Sequence, residues 1–423
     1  MKEQRVVITG LGVVAPNAIG VEAFETALKQ GVSGITYHQN LADLNFSCCV
    51  GGVPPLSDAQ KAAYFTPLQL RSFNSDGILF GCIAGMDAWR DAGLTTHNDE
   101  VDFSSGTVFG TGTSGIAKLR EAIYKLDKGE VRRLGSTVVA QTMASGVSAY
   151  LAGILGLGNQ VTTNSSACAT GTEAVLLGYE RIKYGKAKRM LVGSCSDHGP
   201  YIWGGFDAMR VMNYKHNHEP EKASRPMSAS AAGFVPGSGA GALVLEALDS
   251  AMARGATIYA EVLGGQVNSG GQRNGGSMTA PNPMAVRTCI REALVNAQVN
   301  PRDIDLINGH LTATSKDAEE IENWQASLNL GKNFPFIQST KSTIGHCLAA
   351  AGSIECVAAI IQLKGAFIAP TINCEDLLPA IEQEIGHKQI ATQLQRRELQ
   401  IVAKASFGFG DVNACVLFKK WAN

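Results

Sequence analysis

Short apolar runs alternate with longer stretches in which apolar residues recur three or four apart, a pattern that predicts strands alternating with helices. Residues 6–9 (Val-Val-Ile-Thr) read as a buried strand ending at Gly10 and Gly12. Residues 59–92 are helical in pattern, with Leu68, Phe73, Ile78, Leu79, Ile83, Met86 and Trp89 as core positions. A strand with a tight turn is predicted over 106–113, a buried helix over 143–155 and a strand over 160–163. A helix over 173–180 and buried strands over 189–195 and 242–246 follow.

The second half echoes the first. A strand over 336–341, the small-residue turn Ser342-Thr343-Ile344-Gly345-His346 and an apolar helix over 347–363 repeat the strand, turn and helix around Cys168. The chain therefore reads as two duplicated units, residues 1–255 and 256–423, an inference from element order. The alternation predicts an α/β fold with mainly parallel sheets covered on both faces.

With 45% hydrophobic and 17% charged residues the chain is globular, and its net charge of −1 argues against a nucleic-acid binder. No segment approaches the eighteen or more apolar residues of a membrane span. Its ten cysteines form no Cys-x-x-Cys pair, which predicts free thiols in a reducing, cytoplasmic setting. Gly10-Leu11-Gly12-Val13-Val14-Ala15 matches a loose dinucleotide fingerprint, but Pro16 and Asn17 break the helix such a motif must open. His216 and His218 lack the partners of a metal site. Lys118, Arg120, Lys125, Lys128, Arg132 and Arg133 read as a solvated face that could also attract an acidic partner.

The candidate chemistry lies in Asn164-Ser165-Ser166-Ala167-Cys168-Ala169-Thr170-Gly171-Thr172. Taken alone, Cys168 is either a small buried hydrophobe or a nucleophile. Its predicted place at a helix N-terminus favours the thiolate and surrounds it with free N–H groups. A strand over 305–308 delivers Gly309-His310-Leu311-Thr312-Ala313-Thr314, and one over 401–405 delivers Ser406-Phe407-Gly408-Phe409-Gly410.

Together with Lys341-Ser342-Thr343-Ile344-Gly345-His346 and Ala351-Gly352-Ser353-Ile354-Glu355, these motifs resemble the elongating β-ketoacyl-acyl-carrier-protein synthases of the thiolase fold. The resemblance spans nearly the whole chain. It implies duplicated βαβαβ halves in a layered α-β-α-β-α architecture, with the nucleophilic cysteine in the first half and both histidines in the second. Cys168 would carry an acyl chain, with its own N–H and that of Phe407 as oxyanion hole. His310 and His346 would stabilise the enolate formed when a malonyl thioester loses carbon dioxide. The product would be a 3-ketoacyl chain longer by two carbons.

The same resemblance assigns Lys341, Glu320 and Glu355 to orienting His310 and setting local charge, although the three could be a structural ion-pair network. It assigns Thr279, Thr312 and Thr314 to a pantetheine tunnel, Phe407 and Phe409 to a gating loop, and Phe206 and Thr113 to the acyl pocket. No metal or redox cofactor is implied, since substrates arrive on the phosphopantetheine of an acyl carrier protein. That carrier would dock on a basic rim including Arg71, Lys118 and Arg210.

A homodimer or a ketosynthase/chain-length-factor heterodimer is implied, with the strand before Cys168 at the interface. Leu311, Thr113 and Asp411-Val412-Asn413 depart from the commonest family pattern and suggest a specialised polyene or polyketide enzyme. The other readings are a synthase active only with a partner subunit and a non-catalytic partner subunit. A thiolase would carry a second cysteine where Phe407 to Gly410 stand.

Overall fold

The computed structural model describes residues 3–96 and 100–422. Its principal strands are β1 (Val6–Ala15), β2 (Ser105–Thr111), β3 (Val161–Thr162), β4 (Arg189–Ser196) and β5 (Gly239–Ala247), then β6 (Ala260–Ser269), β7 (Leu306–Asn308), β8 (Phe336–Gln338), β9 (Ile401–Gly408) and β10 (Val412–Lys420). They form a continuous path in the order β8-β7-β9-β10-β6-β1-β5-β4-β2-β3, with the short Ala18–Ile19 strand pairing against β1. Adding five to each label of β3-β2-β4-β5-β1 gives β8-β7-β9-β10-β6, so the two halves repeat strand for strand. They join through the antiparallel pair β1–β6.

Parallel pairing is confined to β2 with β3 and β4, and to β7 with β8 and β9. The remaining links on the path are antiparallel, which corrects the expectation of mainly parallel sheets. The reason lies in the connections. β9 and β10 are joined by a tight turn, and a hairpin forces antiparallel pairing.

Helices complete five layers. α1 (Asp76–Asp91) covers the outer face of the first half. α2 (Thr170–Lys183) lies at the centre, and α3 (Pro283–Ala297) and α4 (Asp317–Leu328) cover the second half. The short α5 (Lys341–Ile344) leads to α6 (Ala351–Gly365), which packs beside α2 between the two half-sheets. Thirteen consecutive residues of α6, Ala351 to Leu363, are buried, as a helix sandwiched between sheets must be.

The stretch Leu348–Gly365 is therefore apolar enough, at a mean hydropathy of 1.4 over 18 residues, to resemble a membrane span, contrary to expectation. Its burial of 89% inside the protein identifies it as a core helix.

Two local expectations also change. The helical pattern over 59–92 breaks into Asp58–Ala62, Pro67–Leu70 and α1, because Ser57, Thr66 and Ser75 each accept an N–H and start a new helix. Leu68 consequently stands 77% exposed rather than in the core. β1 runs straight through Gly10 and Gly12 instead of turning there. Those glycines admit helix α1: a Cβ would lie 2.1 Å from the Ala88 carbonyl oxygen at residue 10 and 2.0 Å from that of Ala84 at residue 12. Gly12→Ala is therefore expected to cost about 1–3 kcal/mol by overpacking. The check is a lowered urea midpoint with an unchanged slope; an unchanged midpoint would show that α1 can retreat.

Candidate active site

The turn that carries Cys168 is built for close approach. Ala167 takes a left-handed φ of 49° and a single 3-10 turn, Ala167–Ala169, runs directly into α2. Thr170 locks it, its hydroxyl accepting from the Ser166 N–H at 2.9 Å and donating to the Ala167 carbonyl at 2.7 Å. The equivalent turn in the second half, between β8 and α6, carries His346, with Leu348 at φ 52° and Ala349 in the places of Ala167 and Cys168. There Gly345 turns at φ 69° and the His346 N–H donates to the Val235 carbonyl at 2.7 Å.

The meeting of the two turns brings Cys168 Sγ and His346 Nε2 to 3.1 Å. The N–H of Leu348 donates to His346 Nδ1 at 3.3 Å, so the proton of the neutral imidazole sits on Nε2, facing sulfur. His310 stands across the site, its ring 5.3 Å from that of His346 and nearly perpendicular to it. Ligating atoms of Cys168, His310 and His346 all lie within 4.8 Å of one another. One thioester carbonyl can reach all three.

The backbone bearing His310 is held by two carboxylates. Glu320 accepts the N–H groups of His310 and Leu311, both at 2.7 Å. Asp317 accepts those of Thr312 at 2.9 Å, Ala313 at 3.1 Å and, from another loop, Met227 at 2.8 Å. Leu311, at φ 24°, and Ala313, at φ 63°, keep strained left-handed conformations inside this cradle. Burial nonetheless pushes Glu320 up to about 7 and Asp317 up to about 6.

Lys341 pairs with Glu355 rather than Glu320. It makes no hydrogen bond to His310, whose buried Nδ1 has no partner, and it influences that ring through its field. Glu355 also pairs with Lys404 at 3.0 Å, a buried residue that the motif reading passed over. A charge inside the apolar run Ile401-Val402-Ala403-Lys404-Ala405 was the available signal.

Electrostatics here are dominated by burial. It pushes the Cys168 thiol up to about 11, against the N–H of Phe409 and the Lys341 ammonium. The helix end therefore does not by itself make a resting thiolate, as its sequence position suggested. Burial, followed by the Lys341 cation, holds both histidines well below their ordinary range.

Phe407 and Phe409 stand differently toward the sulfur. Phe407 lies within β9, opposite Asn413, whereas the N–H of Phe409, in the hairpin turn, donates toward Cys168. Gly408 makes this approach possible, since a Cβ there would lie 3.1 Å from the Cys168 nitrogen. Only Phe409 to Asp411 leave the strands, so the expected gating loop is a turn that excludes Phe407.

Two cavities meet at the nucleophile. One, about 270 Å³, is lined by Cys168, both histidines, Thr279, Thr312, Thr314 and Phe407. The other, about 380 Å³, runs from Cys168 past Thr113, Ser196 and Tyr201. Phe206 and Phe409 line both, with rings 5.9 Å apart at the junction. Thr113 thus falls in the second cavity and the three tunnel threonines in the first. Asp411 faces away from the sulfur: its carboxylate accepts the N–H groups of Gln272 at 3.0 Å and Asn282 at 2.8 Å.

A cysteine and two histidines at the junction of two channels, on a duplicated thiolase-like fold, define an acyl-transfer enzyme that works on thioesters. The N-terminal domain model of the β-ketoacyl synthases matches residues 3–251 and the C-terminal domain model residues 259–375; the chain belongs to this family of acyltransferases. It is 34% identical over 421 residues to 3-oxoacyl-[acyl-carrier-protein] synthase 1 of Haemophilus influenzae, covering 99% of each chain.

Among solved structures, it matches a β-ketoacyl synthase from Burkholderia phymatum with a TM-score of 0.91 at 27% identity, covering 99% of this chain and 100% of that one. The ishigamide ketosynthase/chain length factor gives 0.88 at 26% identity. A type II polyketide ketosynthase in complex with its acyl carrier protein gives 0.87 at 27% identity. Each of these two also covers 99% of this chain and 100% of its own.

Asp411 offers a direct test of the site's framing. Hydrogen bonds to a charged group contribute about 1.5–3 kcal/mol each. Asp411→Gly should therefore speed amide exchange at Gln272 and Asn282 by about tenfold or more. Unchanged exchange at both would show that the carboxylate does not hold the 270–282 loop.

Proposed function

We propose that this synthase condenses a carrier-bound acyl chain with a malonyl unit through Cys168, His310 and His346. The Cys168 sulfur attacks the acyl thioester, and the thiol proton leaves with the departing carrier thiol. The N–H groups of Cys168 and Phe409 hold the tetrahedral oxyanion. Malonyl carrier protein then enters the first cavity, where Nε2–H of His346, joined by His310, binds the thioester carbonyl. Carbon dioxide leaves, the enolate attacks the acyl-cysteine, and the cysteine thiolate departs from a 3-ketoacyl chain two carbons longer. The thiolate takes a proton from water to reset. No step calls on a metal or redox cofactor.

The observation that carries this reading is the 3.1 Å approach of His346 Nε2 to Cys168 Sγ at the meeting of two cavities. The first cavity, with Thr279, Thr312 and Thr314, suits the amide-bearing phosphopantetheine arm, and the second suits the growing chain. Thr113, Ser165, Ser196 and Tyr201 give that second cavity hydroxyls. This lining favours a polyene or polyketide chain over a plain saturated one.

The family likeness to a ketosynthase/chain length factor supports a two-fold assembly, and this chain, which keeps its nucleophile, is the catalytic member. β3 ends the sheet as a free edge with Val161 39% exposed, the place for a second subunit, whether a copy or a related chain. The ten free thiols, all buried, suit the cytoplasm.

Intact-protein mass spectrometry tests the mechanism. Wild type incubated with acyl carrier proteins bearing saturated, unsaturated and aryl chains should gain the acyl mass, and Cys168→Ala should not. Malonyl carrier protein should then discharge it as the elongated 3-keto product. Acylation only in the presence of a partner subunit would establish the heterodimer; no acylation from any donor, alone or partnered, would overturn the proposal.

Carrier docking has its own test. Arg210 is exposed beside Val211, which lines the first cavity, whereas Lys118 is tied to Glu121 at 2.9 Å. Arg210→Glu should weaken carrier binding and reduce its salt dependence; unchanged binding at low salt would remove Arg210 from the rim.

A further inference from the structure

The carboxylate of Glu355 stands between two ammonium groups, Lys341 on one oxygen and Lys404 on the other at 3.0 Å. All three side chains are at most 1% exposed. A single buried lysine and glutamate would cancel; a second lysine leaves the cluster with a net positive charge shielded from water. Such a charge is costly unless something nearby repays it.

Lys404 is held firmly. It donates to the Ala405 carbonyl and, at 3.1 Å, to the Ser406 hydroxyl, which in turn meets the Thr172 hydroxyl of α2 at 2.9 Å. The ammonium thus ties β9 to the helix that carries the nucleophile and, through Glu355, to α6. Its field reaches both imidazoles.

We propose that Lys404 is a positioning residue: by sharing Glu355 with Lys341 it makes the cluster behind the imidazoles net cationic, which keeps both histidines neutral hydrogen-bond donors and favours the anions of decarboxylation and condensation. An imidazolium would form a charge pair with the cysteine sulfur instead of offering Nε2–H to an incoming carbonyl. Two cations behind the rings suppress that state and stabilise enolate and oxyanion charge as it develops.

The other titratable groups lining the same cavity are Cys168 from the 3-10 turn, the paired Lys316 and Glu319, and, with Cys347 next to His346 in the chain, the buried carboxylates Asp317 and Glu320 of α4. The two carboxylates act in the opposite sense to Lys404. Burial pushes both carboxyl groups up, which weakens their charge beside the rings.

The inference rests on the Cys-His-His mechanism above, so acylation of wild-type Cys168 serves as its control. The experiment compares wild type, Lys404→Gln, Lys404→Met and Lys404→Arg. It follows decarboxylation of malonyl carrier protein from about pH 5 to 8 and titrates the two imidazoles by NMR over the same range. Glutamine keeps a donor for the Ala405 carbonyl and the Ser406 hydroxyl but removes the charge.

Wild-type imidazoles should stay neutral over this range, and the Gln and Met variants should raise the acid limb and both imidazole titrations by about one pH unit, bringing their onset into view at its acid end, while Arg keeps the wild-type behaviour. Folded variants whose limb and titrations match wild type would overturn the inference and leave the mechanism standing. Should both neutral variants fail to fold, the wild type decides. Imidazoles that stay neutral throughout the range support the proposal, and either one titrating near its ordinary value of about 6.5 overturns it. A wild type that no donor acylates overturns the mechanism and this inference together.

Discussion

The close crossing of the two central helices is the constraint on which the site depends. At the start of α2, a Cβ on Gly171 would lie 2.2 Å from the Ser353 nitrogen; at the start of α6, one on Gly352 would lie 2.6 Å from the Thr172 nitrogen. Each half contributes a glycine at the equivalent place, so the helix ends meet backbone to backbone across the pseudo-two-fold. The turns that precede them are thereby brought together. One carries Cys168 and the other His346, and no loop has to be remodelled to place sulfur against imidazole. The duplication thus supplies the geometry, while divergence between the halves supplies the chemistry.

Burial then decides protonation. In this enclosed site a charge is admitted only with company, so the thiol and both imidazoles are kept neutral while the cations stand behind them on Lys341 and Lys404. A neutral imidazole whose Nδ1 accepts from Leu348 can present only a donor to the substrate. That arrangement suits a reaction that passes through an oxyanion and an enolate. The first half-reaction needs only to pass one proton from one thiol to another.

Much of this was legible in the sequence, and the failures have physical causes. The strand, small-residue turn and helix around Cys168 and His346 follow from apolar periodicity, and the strand order confirms that the two turns are equivalent. Gly10 and Gly12 misled because glycine marks a turn and a close helix approach equally well, and only α1's position tells them apart. Lys404 was missed because motif reading favours turns, whereas this charge enters from the middle of a strand. Asp317 and Glu320 act on backbone N–H groups rather than on side chains, so no residue-type pattern shows what they hold. That Phe409 lies in the turn and Phe407 in the strand depends on where β9 ends, a boundary that apolar runs do not resolve to one residue.

Phe409 joins substrate entry to catalysis in one residue. Its ring meets Phe206 at the junction of the two cavities, while its backbone N–H points to the sulfur. It sits between Gly408 and Gly410, the latter at φ 86°, so the turn can pivot without a side chain resisting. The opposite side of that turn is pinned by Asp411 to the 270–282 loop, whose Thr279 lines the first cavity. The hairpin turn, the junction of the two cavities and the 270–282 loop are therefore linked in one segment. A carboxylate at residue 411, where glycine would relieve the φ of 63°, adds stiffness to that segment at the cost of local strain.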